Sequence, residues 1–497
     1  MTKRIATELV VVAILVAAVA ALLSEGVPGL SECGYLLAGY RHSHAEFLAT
    51  DWTFGTPVGK TLYYDTLLGL ATRALSLETS AWLGRLACWV AILLGLATIG
   101  RRVGLRGAGA WTAVALWLAF GQSFVGGEVA VGYFVPKAVA WATGIWAVER
   151  YLAGRWLAAG LLLGACVGTQ PSVGLGLSLG LAATMVLDRQ PVSVWVRIVV
   201  PSLLAAMPAI ASAQDILIQP GVDLRAEWQF QAQVRQRVHL DLGSFKPWSL
   251  IALALALVGS ASLGRFLANS RYRQLVSLQI GPLVLFVAGV AVTALGHYEW
   301  LSLFPFRVLP LLAGWILLVG LGLCLQDRRW NWRTAAAVGL AGAVALLTTS
   351  PIEVLARAQR LRSAANGPDI PALRWIANHT PEGAVVVVSP ARRCAPYLTR
   401  RPQIVYADLA RLDRLREWRE RLTALTGPLQ PRTSQMDVAF HAMAPERLEA
   451  AVRRFGGDYL VTRGTYTYPV VFESGGYRVY DLKGLATQRP LPTPATP

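Results

Sequence analysis

Charge is scarce in this chain. Asp, Glu, Lys and Arg together make up 15% of its 497 residues, whereas hydrophobic residues make up 54%. The mean hydropathy of +0.46 is too high for an ordinary water-soluble protein. The composition therefore excludes a soluble globular fold for most of the chain and predicts a protein with many membrane spans.

Lysine is also rare, with five residues in the whole chain, so arginine supplies most of the net charge of +17. The arginines lie mainly in short loops between apolar runs. Basic loops are what the positive-inside rule requires on the cytoplasmic side of a membrane. We therefore attribute the basic pI near 10.1 to membrane topology and expect no nucleic-acid partner.

Several catalytic signatures are missing. No GxGxxG, P-loop, HExxH or GxSxG pattern occurs in a credible context, so nucleotide-dependent soluble chemistry has no support. The five cysteines show no CxxC or zinc spacing. Cys88, Cys166 and Cys324 fall in apolar runs and are expected to be buried core residues. For Cys33 and Cys394, a disulfide and two free thiols are both compatible with the sequence.

Long apolar runs dominate the first 350 residues. Residues 5–23 are long enough to cross a bilayer, and we favour a retained helix over a cleaved signal peptide because the A-x-A pattern at Ala18 lies inside the run. Together with ten further runs this predicts about eleven transmembrane helices. The further runs are 80–100, 108–125, 129–148, 156–169, 172–187, 194–211, 248–263, 275–295, 307–325 and 334–349.

The loops between these runs predict the orientation. When the spans alternate, five Arg-rich loops fall on one side, which the positive-inside rule assigns to the cytoplasm. These loops are 101–106, 149–155, 188–197, 265–273 and 327–333. The N-terminus is then cytoplasmic and the C-terminal region extracytoplasmic. The short runs 156–169 and 172–187 form a helical hairpin that turns at Gln170 and Pro171.

The predicted fold is a polytopic α-helical membrane protein with a small C-terminal α/β domain. The transmembrane domain covers residues 1–350, with outer loops at 24–79 and 212–247. Residues 61–77 form an amphipathic helix that lies along the membrane surface. Residues 351–487 form the extracytoplasmic domain, and the Pro-rich tail 488–497 is expected to be disordered. In this domain we predict helices at 368–379, 412–425 and 445–455, and strands at 384–389, 403–406, 458–462 and 477–482.

The first outer loop carries the best catalytic candidates, in the stretch 41–60. Asp51 is followed by two aromatic residues that could raise its pKa, so it is our first candidate for a general base, with Glu46 second. His42 and His44 are supporting residues, and His42 with Glu46 is a weak candidate pair for a divalent metal. The alternative is that all four are solvated loop residues.

Two cations at predicted outer ends are candidate ligands for an anionic substrate. Lys137 follows Pro136 inside an apolar segment, with Glu128 as its candidate partner, although the lysine could instead reach up to lipid headgroups. In the stretch 297–310, Arg307 opens a span and could bind a lipid phosphate through two hydrogen bonds, or could anchor an aromatic belt. His297, at the start of this stretch, is a further candidate for substrate binding. The outer loop 215–247 adds polar residues that could line a cavity, namely Glu227, Arg235, Arg237, His239, Asp241 and Lys246.

This assembly resembles the GT-C glycosyltransferase superfamily: a cytoplasmic N-terminus, an acidic first outer loop with surface helices, many spans and a C-terminal extracytoplasmic α/β domain. The resemblance implies a bacterial plasma-membrane enzyme that moves a sugar from a polyprenyl-(pyro)phosphate carrier to an extracytoplasmic acceptor. It places Asp51 as the first-loop catalytic acid, and Arg307 and Lys137 as donor-phosphate ligands. Gln170 and Pro171 stand where related bacterial proteins often have His-Pro.

A function of another class stays open at this point. The same outer face could belong to a non-catalytic membrane subunit or a lipid transporter, with a protein partner bound at the C-terminal domain. Turnover of a lipid-linked sugar by the purified protein distinguishes the enzyme from such a scaffold.

Overall fold

The structure is a computed structural model that describes residues 2–24, 27–29, 32–55, 61–120, 122–123, 129–217, 224–303, 305–326, 367–407, 414–428 and 433–486. Its helices in the membrane region are α1 Thr2–Leu22, α2 Cys33–Ser43, α3 Leu62–Ala71, α4 Leu77–Val103, α5 Gly107–Ala119, α6 Pro136–Leu152, α7 Trp156–Thr169, α8 Pro171–Leu187, α9 Val192–Leu217, α10 Arg225–Phe230, α11 Arg237–Leu240, α12 Pro247–Phe266, α13 Ser270–Ser277, α14 Ile280–Ala294 and α15 Val308–Gln326. A π-helical turn covers Gln231–Arg235, and 3₁₀ turns cover Leu242–Ser244 and Tyr298–Leu303.

Five stretches of the described chain are long and apolar enough to cross a membrane: Leu77–Val103, Val192–Ser212, Pro247–Phe266, Ser270–Ala294 and Val308–Gln326. Four shorter apolar helices accompany them, at Ala6–Leu22, Gly107–Ala119, Trp156–Thr169 and Pro171–Leu187. A multi-pass membrane protein is thus supported, whereas the count of eleven spans stays a prediction. The predicted span 334–349 lies outside the described residues.

The helix ends follow from local sequence. Proline stands at the first position of α6, α8 and α12, where its missing N–H costs nothing. Helix α4 ends at Gly104, which has a φ of 116° that only glycine adopts easily. The predicted hairpin is present as α7 and α8, which meet at the extended residue Gln170.

Helices α7 and α9 pack in close backbone contact because α7 carries Gly160 and Gly164, four residues apart. A Cβ at Gly160 would lie 2.4 Å from the carbonyl oxygen of Ile198, and one at Gly164 would lie 2.3 Å from that of Ser202. Small residues at this spacing let two membrane helices approach closely. Any larger side chain at either glycine would therefore separate α7 from α9.

The Arg-rich loops meet at one end of the helices. Hydrogen bonds there join the start of α1, the ends of α4, α6 and α8, and helix α13 with its N-cap Asn269. The bonds run from Arg101 to Glu8 (2.8 Å), from Arg102 to Glu149, from Asn269 to the carbonyl of Val103 (2.7 Å) and from Gln274 to Asp188 (2.7 Å). Four of the five predicted loops therefore lie together, and the fifth, 327–333, is outside the described residues. We call this the Arg-rich end.

Helix α3 covers the first part of the predicted surface helix 61–77 and ends at Ala71. Leu67 and Leu70 point outward and are 54% and 53% exposed, whereas Asp65 and Thr72 are buried against the protein. Thr61 donates a 2.7 Å hydrogen bond to Asp65, which supports this inward polar face. An apolar face turned away from the protein is what a helix in the membrane interface presents.

The C-terminal domain is a four-stranded sheet with helices around it. Its helices are α16 Ile370–His379, α17 Ala395–Thr399, α18 Leu415–Thr426, α19 Thr433–His441, α20 Pro445–Phe455 and α21 Lys483–Ala486. Its strands are β1 Val386–Val387, β2 Tyr459–Thr462, β3 Val470–Ser474 and β4 Tyr477–Asp481, in the order β1-β2-β4-β3. Strands β1 and β2 are parallel, and the other pairs are antiparallel.

The predicted helices 368–379, 412–425 and 445–455 and the last two predicted strands are present with small shifts in their ends. The strand predicted at 384–389 shrinks to two residues, and that predicted at 403–406 is reduced to a single bridge between Gln403 and Val386. Strand β3 was missed in the sequence. Val470 and Val471 are both exposed, so β3 lacks the alternation of buried and exposed residues that is typical of a half-buried strand.

Candidate functional site at the outer end

Asp51 ties the first outer loop to the C-terminal domain. Its Oδ1 accepts hydrogen bonds from the backbone N–H groups of Thr53 (2.8 Å) and Phe54 (2.9 Å). Its Oδ2 accepts one from the backbone N–H of Gln403 (2.9 Å) and one from the Tyr406 hydroxyl (2.7 Å). The side chain is 2% exposed. Four donors therefore surround one buried carboxyl group, two from the loop and two from the domain.

Burial raises the pKa of Asp51 above its usual value, and the four hydrogen bonds oppose that rise. Burial also raises the pKa of Tyr406, with Asp51 as a second cause. The phenol therefore stays protonated and donates a hydrogen bond to the carboxyl group. The expectation that Asp51 has a raised pKa thus holds, because the domain covers it.

Aromatic and cationic contacts surround this junction. The ring of Phe54 packs on that of Tyr406 at 5.5 Å, and the Arg421 guanidinium lies 4.7 Å from the Trp52 ring. Arg421 also donates a 3.0 Å hydrogen bond to the carbonyl of Ile404. The aromatic residues that follow Asp51 in the sequence therefore dock the loop on the domain.

A disulfide joins Cys33, at the start of α2, to Cys394 in the C-terminal domain, with a Cα–Cα distance of 5.3 Å. The sequence left this pairing open. The bond and Asp51 connect the same two parts of the chain at two separate points. Cys88, Cys166 and Cys324 are buried free thiols, as the sequence predicts.

The neighbouring residue Glu32 forms a fully buried ion pair with Arg85 of α4. Arg85 Nε donates a 2.7 Å hydrogen bond to Glu32 Oε1, and Nη2 binds Oε2. Glu32 also accepts hydrogen bonds from the backbone N–H groups of Gly29 (2.8 Å) and Phe134. This carboxylate therefore connects the first outer loop, α4 and the segment that leads into α6 and Lys137.

The second outer loop also contacts the C-terminal domain. Glu227 lies 3.7 Å from Arg419 as an ion pair, and the Phe230 ring packs on Trp418 at 5.5 Å. Farther along this loop, Phe245 packs at 5.6 Å on Phe306, the residue before Arg307. The domain therefore rests on both outer loops, at the end of the helices opposite the Arg-rich end.

The other first-loop candidates are placed differently. Glu46 and His42 are exposed, and His42 Nε2 lies 3.4 Å from the Thr66 hydroxyl. His44 stacks on the ring of Tyr40 at 3.9 Å and binds the Tyr40 carbonyl at the end of α2, which is a capping contact. Among the described residues, no group of three or more His, Cys, Asp or Glu side chains could hold a metal ion.

The candidate phosphate ligands lie at the outer ends of two helices. Arg307 is 9% exposed and immediately precedes α15, and Lys137 is the half-buried second residue of α6. His297 is exposed and lies 3.2 Å from Glu299. Glu128 is outside the described residues. The hydrogen bonds of Asp51 all go to the first loop and the C-terminal domain, so none joins it to Arg307 or Lys137.

The Glu32–Arg85 pair was missed in the sequence analysis. A signal for it was present, because Arg85 lies inside the apolar run 80–100, and an ionisable residue in such a run is by default of structural or functional importance. The contacts of Gln403 and Tyr406 carried no comparable signal. They depend on how a domain more than 350 residues away docks on the loop.

Comparison with solved structures identifies the fold. The chain matches the archaeal oligosaccharyltransferase AglB from Archaeoglobus fulgidus, in complex with an inhibitory peptide and a dolichol-phosphate, with a TM-score of 0.54 and 14% identity over 91% of this chain and 69% of AglB. It matches ArnT from Cupriavidus metallidurans, bound to undecaprenyl phosphate, with a TM-score of 0.51 and 14% identity over 98% of this chain and 99% of ArnT. Both are GT-C glycosyltransferases. This chain has the GT-C fold.

A structure of the Archaeoglobus fulgidus oligosaccharyltransferase tethered with an acceptor peptide matches with a TM-score of 0.53 and 13% identity over 91% of this chain and 68% of that chain. No family model matches the sequence, and no curated protein matches it. The likeness is therefore one of three-dimensional structure, and at 13–14% identity it shows the fold and not the activity.

Proposed function

We propose that the protein is a membrane glycosyltransferase that moves a sugar from a polyprenyl-(pyro)phosphate carrier to an extracytoplasmic acceptor. The observation that carries the proposal is the match to ArnT, which spans 98% of this chain and was determined with undecaprenyl phosphate bound. The AglB structure contains a dolichol-phosphate, so two separate structural neighbours hold a lipid phosphate.

The orientation belongs to the same proposal. The Arg-rich end faces the cytoplasm by the positive-inside rule, with the N-terminus inside, about eleven spans, and the C-terminal domain outside the bacterial plasma membrane. The Cys33–Cys394 disulfide supports this arrangement, because disulfides persist in oxidising compartments outside the cytoplasm. It lies at the end opposite the Arg-rich loops.

Arg307 and Lys137 are the proposed ligands of the lipid phosphate, with His297 and Glu128 as further candidates. A guanidinium can bind two phosphate oxygens at once, and a cation near the leaving phosphate stabilises the charge that grows there. The burial of Arg307 favours this role over that of a headgroup anchor, since an anchor would remain largely exposed at the interface.

Asp51 and Glu46 remain the candidates for the acceptor's general base, and their surroundings differ. Asp51 is held in place, but both of its oxygens already accept two hydrogen bonds, so it must give up one of them to receive a proton. Glu46 is exposed and can reach an acceptor without breaking a bond. The contacts favour Asp51 as the residue that positions the loop and Glu46 as the base.

The experiment uses full-length protein in nanodiscs and a panel of undecaprenyl-phosphate-linked sugars, with released undecaprenyl phosphate measured by mass spectrometry. We expect release by the wild type and at least a ten-fold loss in Arg307→Gln and Lys137→Gln, about 1.4 kcal/mol of transition-state stabilisation. Arg453→Gln and Lys483→Gln, which change exposed cations of the C-terminal domain, are the matched controls and should retain release.

The same assay separates the two acids. Loss of release in Glu46→Gln with an unchanged melting temperature would assign the base. Full release in Asp51→Asn would rule out a catalytic role for Asp51. A protein that binds undecaprenyl phosphate but releases none from any donor, and that copurifies with a partner in fixed ratio, would support the non-catalytic subunit instead.

A further inference from the structure

A groove on the outside of the helix bundle lies between α4, α6 and α7, with a volume of about 310 Å³. This is at the lower end of the range of about 300–1,000 Å³ for ligand sites. Its lining is Ala91, Ala142, Thr143, Trp146, Arg150 and Leu162. Thr143, Trp146 and Arg150 follow one another along one face of α6, so this face extends about 10 Å along the helix axis.

One end of the groove is basic. Glu149, which is 1% exposed, binds Nε of Arg102 through Oε1 and lies 3.1 Å from Nε of Arg150 through Oε2. Arg102 donates a hydrogen bond to Glu149 through Nε, whereas Arg150 pairs with Oε2 by charge, without a hydrogen bond to that oxygen. Neither contact uses the terminal guanidinium nitrogens of the two arginines. Within the described part of the chain, no hydrogen bond occupies those nitrogens. Two guanidiniums against one carboxylate leave a net charge of 2 − 1 = +1.

The wall of the groove is fixed before any ligand binds. Trp146 Nε1 donates a 3.0 Å hydrogen bond to the carbonyl of Ala91 on α4, and the Arg150 guanidinium lies 5.2 Å from the Trp146 ring. These contacts set the tryptophan ring across the groove and hold Arg150 at its end. The groove is therefore mostly apolar and ends at the oriented guanidinium of Arg150.

We propose that this groove holds an acyl chain of an acidic phospholipid, with the lipid phosphate bound by Arg150 and Arg102. Charge complementarity selects this occupant, because the groove ends among the basic loops of the Arg-rich end and the two guanidiniums match phosphate oxygens. The site is at the opposite end of the helices from the outer assembly. It is therefore separate from the proposed donor site and does not depend on the proposed function.

The test is native mass spectrometry of the full-length protein released from nanodiscs that contain equal amounts of phosphatidylglycerol and phosphatidylcholine. We expect the wild type to retain phosphatidylglycerol at least about five-fold in preference, and Arg150→Gln to lose most of that preference. Ala91→Leu, which fills the groove without changing charge, should lose it as well. The melting temperature of each variant shows whether it is folded.

The controls are Arg106→Gln and Arg155→Gln, which remove exposed arginines at the same end. Equal retention of both lipids by the wild type would overturn the proposal. So would an equal loss in the two controls, because the attraction would then be that of the whole basic surface. A mass twice that of the chain, without lipid, would show that a second copy covers the groove instead.

Discussion

The hydroxyl of Tyr406 donates a 2.7 Å hydrogen bond to Oδ2 of Asp51, across 355 residues of sequence, and both side chains are buried. This bond, the backbone bond from Gln403 and the disulfide between Cys33 and Cys394 connect the first outer loop to the C-terminal domain. The loop with the catalytic candidates is therefore built as part of the domain interface. Its geometry depends on that domain.

Replacing Asp51 by Asn should weaken this junction. Each oxygen of Asp51 accepts two hydrogen bonds, so an amide in either orientation turns its NH₂ group toward two donors. A buried donor left without an acceptor costs about 1–3 kcal/mol. Tyr406→Phe should cost a similar amount. Thermal unfolding of the purified protein measures both changes.

Tyr468→Phe is the matched control, because this tyrosine donates to Glu449 in a less buried part of the same domain. We expect its effect to be clearly smaller. The double variant of Asp51 and Tyr406 should lose less stability than the sum of the losses in the two single variants, since both changes remove one shared hydrogen bond. Full additivity would show that the bond does not hold the junction together.

Stability of the C-terminal domain should depend on acid through Asp437. The contact with His441, whose Nε2 lies 3.5 Å from Oδ1, and the hydrogen bond from Ser389 lower the pKa of Asp437 to about 2, from 3.8. A lowered pKa gives stability that is present above 3.8 and is lost as the pH falls toward 2. The wild type should therefore lose more stability than Asp437→Asn across that window. Melting temperatures at pH 5, 4 and 3 measure the difference.

Ser389→Ala refines this test, because it removes one of the hydrogen bonds that lower the pKa of Asp437. We expect its acid-dependent loss to be smaller than in the wild type and to be complete at a higher pH, because the folded-state pKa lies closer to 3.8. An equal fall of the melting temperature with acid in the wild type and in Asp437→Asn would contradict the role of Asp437.

Reduction of the disulfide should loosen the C-terminal domain. Removing a cross-link between distant residues typically costs about 2–4 kcal/mol, because the unfolded chain regains freedom. We expect dithiothreitol to lower the melting temperature of the wild type and to make the domain more sensitive to limited proteolysis. Cys33→Ser should reproduce that state and show no further response to dithiothreitol. A peptide map with both thiols free in the untreated protein would contradict the bond.

The buried ion pair of Glu32 and Arg85 should be needed for folding of the outer end. Removing one partner leaves an unpaired buried charge, which costs about 3–5 kcal/mol. We expect Glu32→Gln and Arg85→Met each to lower the melting temperature strongly, and the double variant to recover much of the loss. Glu449→Gln, at an exposed pair, is the control. A double variant as unstable as the sum of the single variants would contradict the pairing.

Apolar runs and Arg-rich loops allowed much of the architecture to be predicted from the sequence. Helices α7, α8, α16 and α20 have nearly the predicted ends, because proline and glycine mark where they begin and stop. The predicted grouping of the Arg-rich loops at one end also appears in the contacts of Arg102 and Asn269. Local sequence decides these features.

The candidate site was less predictable because it forms from distant parts of the chain. Asp51 is a plausible catalytic acid in the sequence, but Gln403 and Tyr406 reach it only after the domain docks. The edge strand β3 and the partner of Arg85 likewise depend on neighbours that periodicity does not encode. Whether Arg307, Lys137, Asp51 and Glu46 serve catalysis stays a prediction.

The most direct test of the account is an experimental structure of the full-length protein in nanodiscs with undecaprenyl phosphate. We predict phosphate density within hydrogen-bond distance, about 3 Å, of the Arg307 guanidinium, on the same side as the first outer loop and the C-terminal domain. We also predict that the Arg307→Gln variant keeps the same fold and lacks this phosphate density. A lipid phosphate bound elsewhere, with Arg307 enclosed by protein alone, would contradict the account.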